Sequence, residues 1–223
     1  MKIKILYLCF ILKMLSGCVS APKELVSEIN SKPDAAVFKN ESLALRDFKQ
    51  FEHIEDRKAI LDFNKYDPLL ILNGRRAPFK VLEFTHDGGK YFTVFSVIKS
   101  AGWKKDAFVL PKLSFYKGET LVASPKVKQI GIDGLCGLDS CFVTVYDLSA
   151  IQIGNYRVVM SAYVDNPEEP LEMRKVSGFY YAGTLPLSMT ATRAQYASYY
   201  GTVKLELSDK LPLNPNAKDV QNF

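Results

Sequence analysis

Two histidines, four cysteines and a single tryptophan limit the chemistry open to this chain of 223 residues. His86 lies in THDGGK beside Asp87, a pairing that metal sites and catalytic triads use. No second ligand or nucleophile stands at a matching spacing, and the glycines around it read as a hairpin turn. His53, in FEHIED, is flanked by acids and reads as a solvated side chain. Asp165, Glu168, Glu169 and Glu172, in VDNPEEPLE, offer hard oxygen ligands of the kind calcium takes. Their spacing fits no EF-hand loop, so an acidic solvated loop is the reading. No G-x-S-x-G elbow, P-loop or H-E-x-x-H is present. The expectation is a protein that is not an enzyme, with no catalytic residues, no metal ligands and no cofactor.

The cysteines say more. The chain opens MKIKILYLCFILKMLSGCVSAPKEL: Lys2 and Lys4, then an apolar run from Ile5 to Leu15 broken only by Lys13, then the small pair Ser16 and Gly17. This is a secretory leader, too short and too abruptly ended to span a bilayer. The step Leu15-Ser16-Gly17-Cys18 resembles the lipobox of bacterial lipoproteins, in which cleavage makes the cysteine the first residue and its sulfur carries a diacylglycerol, followed by N-acylation. The resemblance implies a lipidated Cys18 and a protein anchored to, not spanning, a membrane. Acyl chains contribute roughly 0.8 kcal/mol per buried methylene, and one chain alone binds only marginally. A three-chain anchor therefore holds permanently. Val19 stands where, in such lipoproteins, an aspartate favours inner-membrane retention, which points to the outer membrane, facing the periplasm.

An exported chain meets an oxidising compartment, and there Cys136 and Cys141, in GLCGLDSCF, read as a disulfide. A redox C-x-x-C is excluded by the spacing, and a zinc half-site lacks a second pair of ligands. So short a loop contributes about 2 kcal/mol by chain entropy.

Charge excludes a further class. Lys plus Arg number 29 against 24 Asp plus Glu, and loss of Lys2, Lys4 and Lys13 with the leader leaves a net charge of +2. Nucleic-acid binding needs clustered basic charge, so no nucleic-acid partner is expected. The remaining chain of about 206 residues is long enough for one sizeable β domain or two small ones. The organisation expected is a leader over 1–17, a lipidated N-terminus and tether over 18–42, a folded domain over 43–210 and a C-terminal tail over 211–223. Short helical turns are expected around Lys23 to Asn30, and an amphipathic pattern runs from Glu41 to Phe51 through Leu45 and Phe48.

Beyond Arg57 the apolar period is two. AILDF, PLLIL, PFKVLEF and YFTVFSVI are separated by NKYD, NGRRA and HDGGK, which carry the Asn, Asp and Gly that turns require. YFTVFSVI is apolar on both faces, which places it centrally under a second sheet. DAFVLPKLSFYKGETLVAS, KVKQIGI, CFVTVYDL, NYRVVMSAYV and TVKLELS continue the series, with a hairpin loop at YKGET. Pro111 predicts an edge or a bulge, because it cannot donate to a ladder. The fold expected is all-β, an antiparallel β-sandwich of about nine or ten strands with few short helices. Between Val164 and Tyr200 the strand signal fades, and a long connection is expected there.

The order of segments resembles the maltose-operon periplasmic protein (MalM) family. The residues that carry it are SLALRDFKQFEHIE, ILDFNKYDPLLIL, APFKVLEFTHDGGKYFTVFSVIKSAGWKKDAFVLPKLSFYKGETL, NYRVVMSAYVDNPEE and YGTVKLELS, across about residues 42 to 208. The CGLDSC stretch is no part of the family pattern. The resemblance implies an exported β protein without enzymatic activity, associated with maltose and maltodextrin uptake.

Aromatic residues supply the binding chemistry. Sugar rings stack their C–H faces on Trp and Tyr while amides and carboxylates take the hydroxyls. Trp103 in SAGWKKDA, Tyr180 and Tyr181 in GFYYAG, and Tyr199 and Tyr200 in ASYYGT are the candidate carbohydrate-binding residues. Two readings follow: an accessory lipoprotein that contacts an oligosaccharide, or an envelope module that docks a protein partner through a sheet edge or apolar patch.

Overall fold

The computed structural model describes residues 22–33, 37–48, 51–54, 56–100, 105–123, 125–136, 139–166, 169–182, 185–211 and 218–219. Two short helices occur among them, α1 (Pro22–Asn30) and α2 (Glu41–Asp47). The strands are β1 (Val37–Phe38), β2 (Phe51–His53), β3 (Lys58–Phe63), β4 (Leu69–Leu72), β5 (Arg75–His86), β6 (Tyr91–Val97), β7 (Lys99–Ser100), β8 (Lys105–Val109) and β9 (Lys112–Lys117). They continue as β10 (Thr120–Ala123), β11 (Lys126–Cys136), β12 (Asp139–Asp147), β13 (Gly154–Ser161), β14 (Glu172–Ala182), β15 (Leu185–Ser198), β16 (Gly201–Ser208) and β17 (Lys218–Asp219). The chain is all-β and sandwich-like.

The first sheet runs β1-β4-β5-β13-β9-β10, with β2 also on β5; the second runs β17-β11-β12-β6-β16-β3. Alternation sends Leu82 and Phe84 of β5, Val158 and Met160 of β13, and Leu113 and Phe115 of β9 inward, where they meet Phe92, Val94, Val203 and Leu205 of the second sheet. Edge-on ring contacts knit this layer: Phe84 lies 5.5 Å from Phe92 and 5.9 Å from Phe115. β6 is central, between β12 and β16, as its two apolar faces require.

Three departures from the sequence reading have physical causes. The stretch from Pro22 to Phe48, read as a tether and weak helix, folds onto the sheets: Leu25 and Ile29 of α1 are buried beside Leu69, Val164 and Tyr199. Pro111 marks neither an edge nor a bulge; the chain leaves one sheet before it and enters another after it. β8 pairs with β15, whereas β9 pairs with β13, so the proline sits where no ladder donor is needed. Residues 172–182 and 185–198 form a long antiparallel pair, β14 with β15, in a third sheet ordered β14-β15-β8-β7. Its sequence, broken by Gly178 and Pro186 and mixed in polarity, lacks the alternation that marks a half-buried strand.

Replacing Phe84 by Ala should destabilise the protein by about 3–5 kcal/mol, because a large fully buried ring leaves a cavity that its rigid ring neighbours cannot fill. Chemical denaturation of the variant and the parent checks it.

Candidate functional site

The outer face of the first sheet changes character along its length. On β5 the outward positions run Phe79, Val81, Glu83, Thr85, and on β13 they run Val159, Arg157, Asn155. The apolar end lies under α2, where Ala44 and Leu45 pack on Phe79, Val81, Val159 and Tyr116. Asn40 caps this helix, accepting from the Leu43 N–H at 2.9 Å. Glu41, in its first turn, accepts from Ser114 Oγ at 3.0 Å and from the Tyr116 hydroxyl, whose pKa burial and this carboxylate push up. Among the described residues, no helix covers the polar end.

There an open groove of about 560 Å³ lies over the sheet, lined by His53, Glu83, Thr85, Asn155, Arg157 and Glu119 among others. Arg157 and Glu83 are direct cross-strand partners, with Arg157 Nε 3.7 Å from Glu83 Oε1. His53 Nδ1 approaches the other Glu83 oxygen at 3.6 Å. Thr85 Oγ1 donates to Asn155 Oδ1 at 3.0 Å. The Arg157 guanidinium also covers the Phe51 ring, 4.7 Å from its centroid.

A second concavity of about 270 Å³ lies on the other side of β2, lined by Phe48, Glu52, Tyr66, Asp67 and Lys80. Glu52 lines this pocket and its neighbour His53 lines the groove. Lys80 Nζ stands 3.2 Å from Asp67 Oδ1 and 3.5 Å from Glu52 Oε1, with side-chain exposures of 14% for Lys80 and 9% for Asp67. The Asn64 N–H donates to Asp67 Oδ2 at 2.8 Å, and Asn64 Oδ1 accepts from the Tyr66 N–H at 2.8 Å. This Asx turn presents Tyr66 at the rim with 84% of its surface exposed, the Lys65 ammonium 5.1 Å from its ring centroid.

The two concavities therefore mix cationic donors with carboxylate acceptors. Such a lining suits hydroxyl groups, each of which donates and accepts, better than a phosphate or a cation. No group of three His, Cys, Asp or Glu that would hold a metal ion occurs among the described residues.

The residues singled out in the sequence are scattered. Cys18 and Trp103 lie outside the described residues. Tyr180 and Tyr181 sit on β14 opposite Leu187 and Pro186, and their side chains are outside the description too. Tyr199 is only 4% exposed and packs with Leu25 and Ile29, and Tyr200 packs half-buried against the same cluster. Tyr199 is thus a packing group with no open stacking face. The Tyr200 hydroxyl is buried and has no hydrogen-bond partner among the described residues, and burial first, with Glu28 and Asp67 adding to it, pushes its pKa up to about 12. Cys141 is buried and disulfide-bonded; Cys136 ends β11 opposite Asp139, its side chain outside the description. His86 is buried, its Nδ1 accepting from the Gly88 N–H at 3.4 Å and its Nε2 3.1 Å from the Ile151 carbonyl, which makes it a fixed structural group. Asp165 and Glu169 are exposed, while Glu168 and the Glu172 side chain are outside the description.

Comparison with known proteins finds no family model, no curated protein and no solved structure that matches the chain.

Replacing Tyr200 by Phe removes an unpaired buried hydroxyl and should leave stability at neutral pH unchanged or raise it by about 1 kcal/mol. The parent's phenol ionises near its ordinary value when unfolded and near 12 when folded. Its stabilising contribution is thus complete below about pH 10 and is lost as the pH rises towards 12. Melting curves at pH 7 and pH 11 should show the variant losing less stability on the alkaline side.

Proposed function

We propose that this chain is a non-enzymatic, lipid-anchored lipoprotein of the bacterial cell envelope, held at the outer membrane on the periplasmic side, that binds a neutral oligosaccharide as an accessory to carbohydrate uptake. The observation that carries the reading is the pair of mixed-charge concavities meeting at β2, with Tyr66 exposed at the rim of one. A sugar ring stacked on Tyr66 would place its hydroxyls over Lys80, Asp67 and Glu52, and further units would run towards Glu83, Asn155 and Arg157. The likeness to the maltose-operon periplasmic protein family supports the same substrate class, and the leader pattern over 1–17 with Cys18 directly after it supports the anchor. A disulfide between Cys136 and Cys141 would staple the end of the β11–β12 hairpin.

A second reading, an envelope module that docks a protein, has its own support. β10 ends the first sheet and pairs only with β9 among the described strands, and it exposes Leu121 by 52% and Val122 by 41%. An added strand from a partner would satisfy that edge.

Calorimetric titration of the detergent-solubilised mature protein with linear maltodextrins discriminates the two. Saturable binding weakened about tenfold by Tyr66→Ala or Glu83→Gln is expected, the loss of one stacking or charge-assisted contact. Binding that survives both substitutions, or no binding at all, would leave the β10 edge as the working surface.

A further inference from the structure

The N-terminal segment determines how the domain sits on its membrane. A chain free from Cys18 to Ser42 would span about 27 Å as a flexible coil and roughly 80 Å fully extended. The body it carries has a radius of gyration of only about 16 Å. Such a tether would let the domain roll and present any face to the bilayer.

α1 removes that freedom. Leu25 and Ile29, four residues apart and on one helical face, are buried in a cluster with Leu69, Val164, Ala197 and Tyr199. Arg76 of β5 closes the other end, its Nη1 donating to the Lys32 carbonyl at 2.6 Å and the Asn30 carbonyl at 3.4 Å. The Asn30 carbonyl is one that the helix C-terminus leaves unpaired, and Lys32 lies two residues beyond it, where the chain turns away. Only three residues separate Cys18 from Pro22, so the two α-carbons are at most about 14 Å apart. That reach is shorter than the radius of the domain.

We infer that the α1 end of the sandwich, where Val164 and Ala197 lie, rests against the lipid headgroups in a fixed orientation, with α1 acting as a docked spacer. The inference rests on lipidation of Cys18. It directs the far end of β13, where Ile153 stands 70% exposed, away from the bilayer, since β13 alone spans roughly 25 Å.

Full-length protein carrying Ser27→Cys, an exposed position on α1, or Ile153→Cys would be labelled with a fluorescent maleimide without reductant and reconstituted into vesicles bearing a nitroxide-headgroup lipid. Severalfold stronger quenching at position 27 than at 153 is expected. A flexible Gly-Ser insertion of about twelve residues between Ser20 and Ala21, which leaves α1 and its contacts intact, should make the two positions equal. Equal quenching in the uninserted protein, with diacylglycerol found on Cys18 by mass spectrometry, would overturn the orientation alone. Absence of the lipid from Cys18 would overturn the anchor, and the orientation with it.

Discussion

β5 must be covered on both faces over part of its length and on one face over the rest. At twelve residues it carries β4 along its first four positions, β13 along the remaining eight and β2 on the opposite edge. Leu82 and Phe84 point into the sandwich, and Phe79 and Val81 point out of it, all four essentially inaccessible to water. Each such side chain contributes roughly 1.5–3 kcal/mol only if something covers it. The second sheet does so on the inside; on the outside the task falls to α2, with Phe38, Phe48 and Phe51 around it. Where the outward residues become Glu83 and Thr85 the requirement lapses, and the groove is what remains.

That switch was legible in the sequence. In PFKVLEFTH the alternate positions 79, 81, 83 and 85 read Phe, Val, Glu, Thr, and in NYRVV the positions 155, 157 and 159 read Asn, Arg, Val. Period-two reasoning placed these strands and the centrality of β6, because a side chain's face follows from its parity alone. It also located the loop that presents Tyr66, NKYD, as a turn. What it did not supply was the register, which sets Glu83 against Arg157 and Thr85 against Asn155. Pairing between strands seventy residues apart is fixed by contacts across the whole sheet, and parity of one strand says nothing of its offset from another. Tyr199 and Tyr200 were open to misreading for a related cause. Consecutive residues of an extended chain point apart, but here α1 covers one side and the cluster beneath it takes up both rings.

The β14–β15 pair shows the opposite limit. Its ladder runs unbroken from Glu172 opposite Gln195 to Ala182 opposite Leu185, although Gly178, Pro186 and a sequence of mixed polarity disguise it. Backbone hydrogen bonds are available to any sequence, whereas alternation is written only by a face that must be buried. Within this sheet the ion pair of Arg193 with Asp106, at 2.7 Å, joins β15 to the parallel strand β8. Asp106 is buried, so removing Arg193 would leave that carboxylate away from water without this counter-charge.

Short helices make the same argument from the other side. α1 has nine residues and α2 seven, below the length at which an isolated helix is stable in water. They are helical because Leu25, Ile29, Ala44 and Leu45 find apolar surface to cover, because Asn40 and Arg76 pair backbone groups at their ends, and because Glu41 ties α2 to β9. The segment that leads from the proposed anchor is thus folded by the domain it carries, and it gives the domain two things in return. It shields the apolar half of the outer face, which leaves the polar half as the accessible surface. With an anchor at Cys18, as proposed, it would also fix the point at which the chain departs for the membrane, and the position of the groove relative to the bilayer would follow from the same contacts that complete the core.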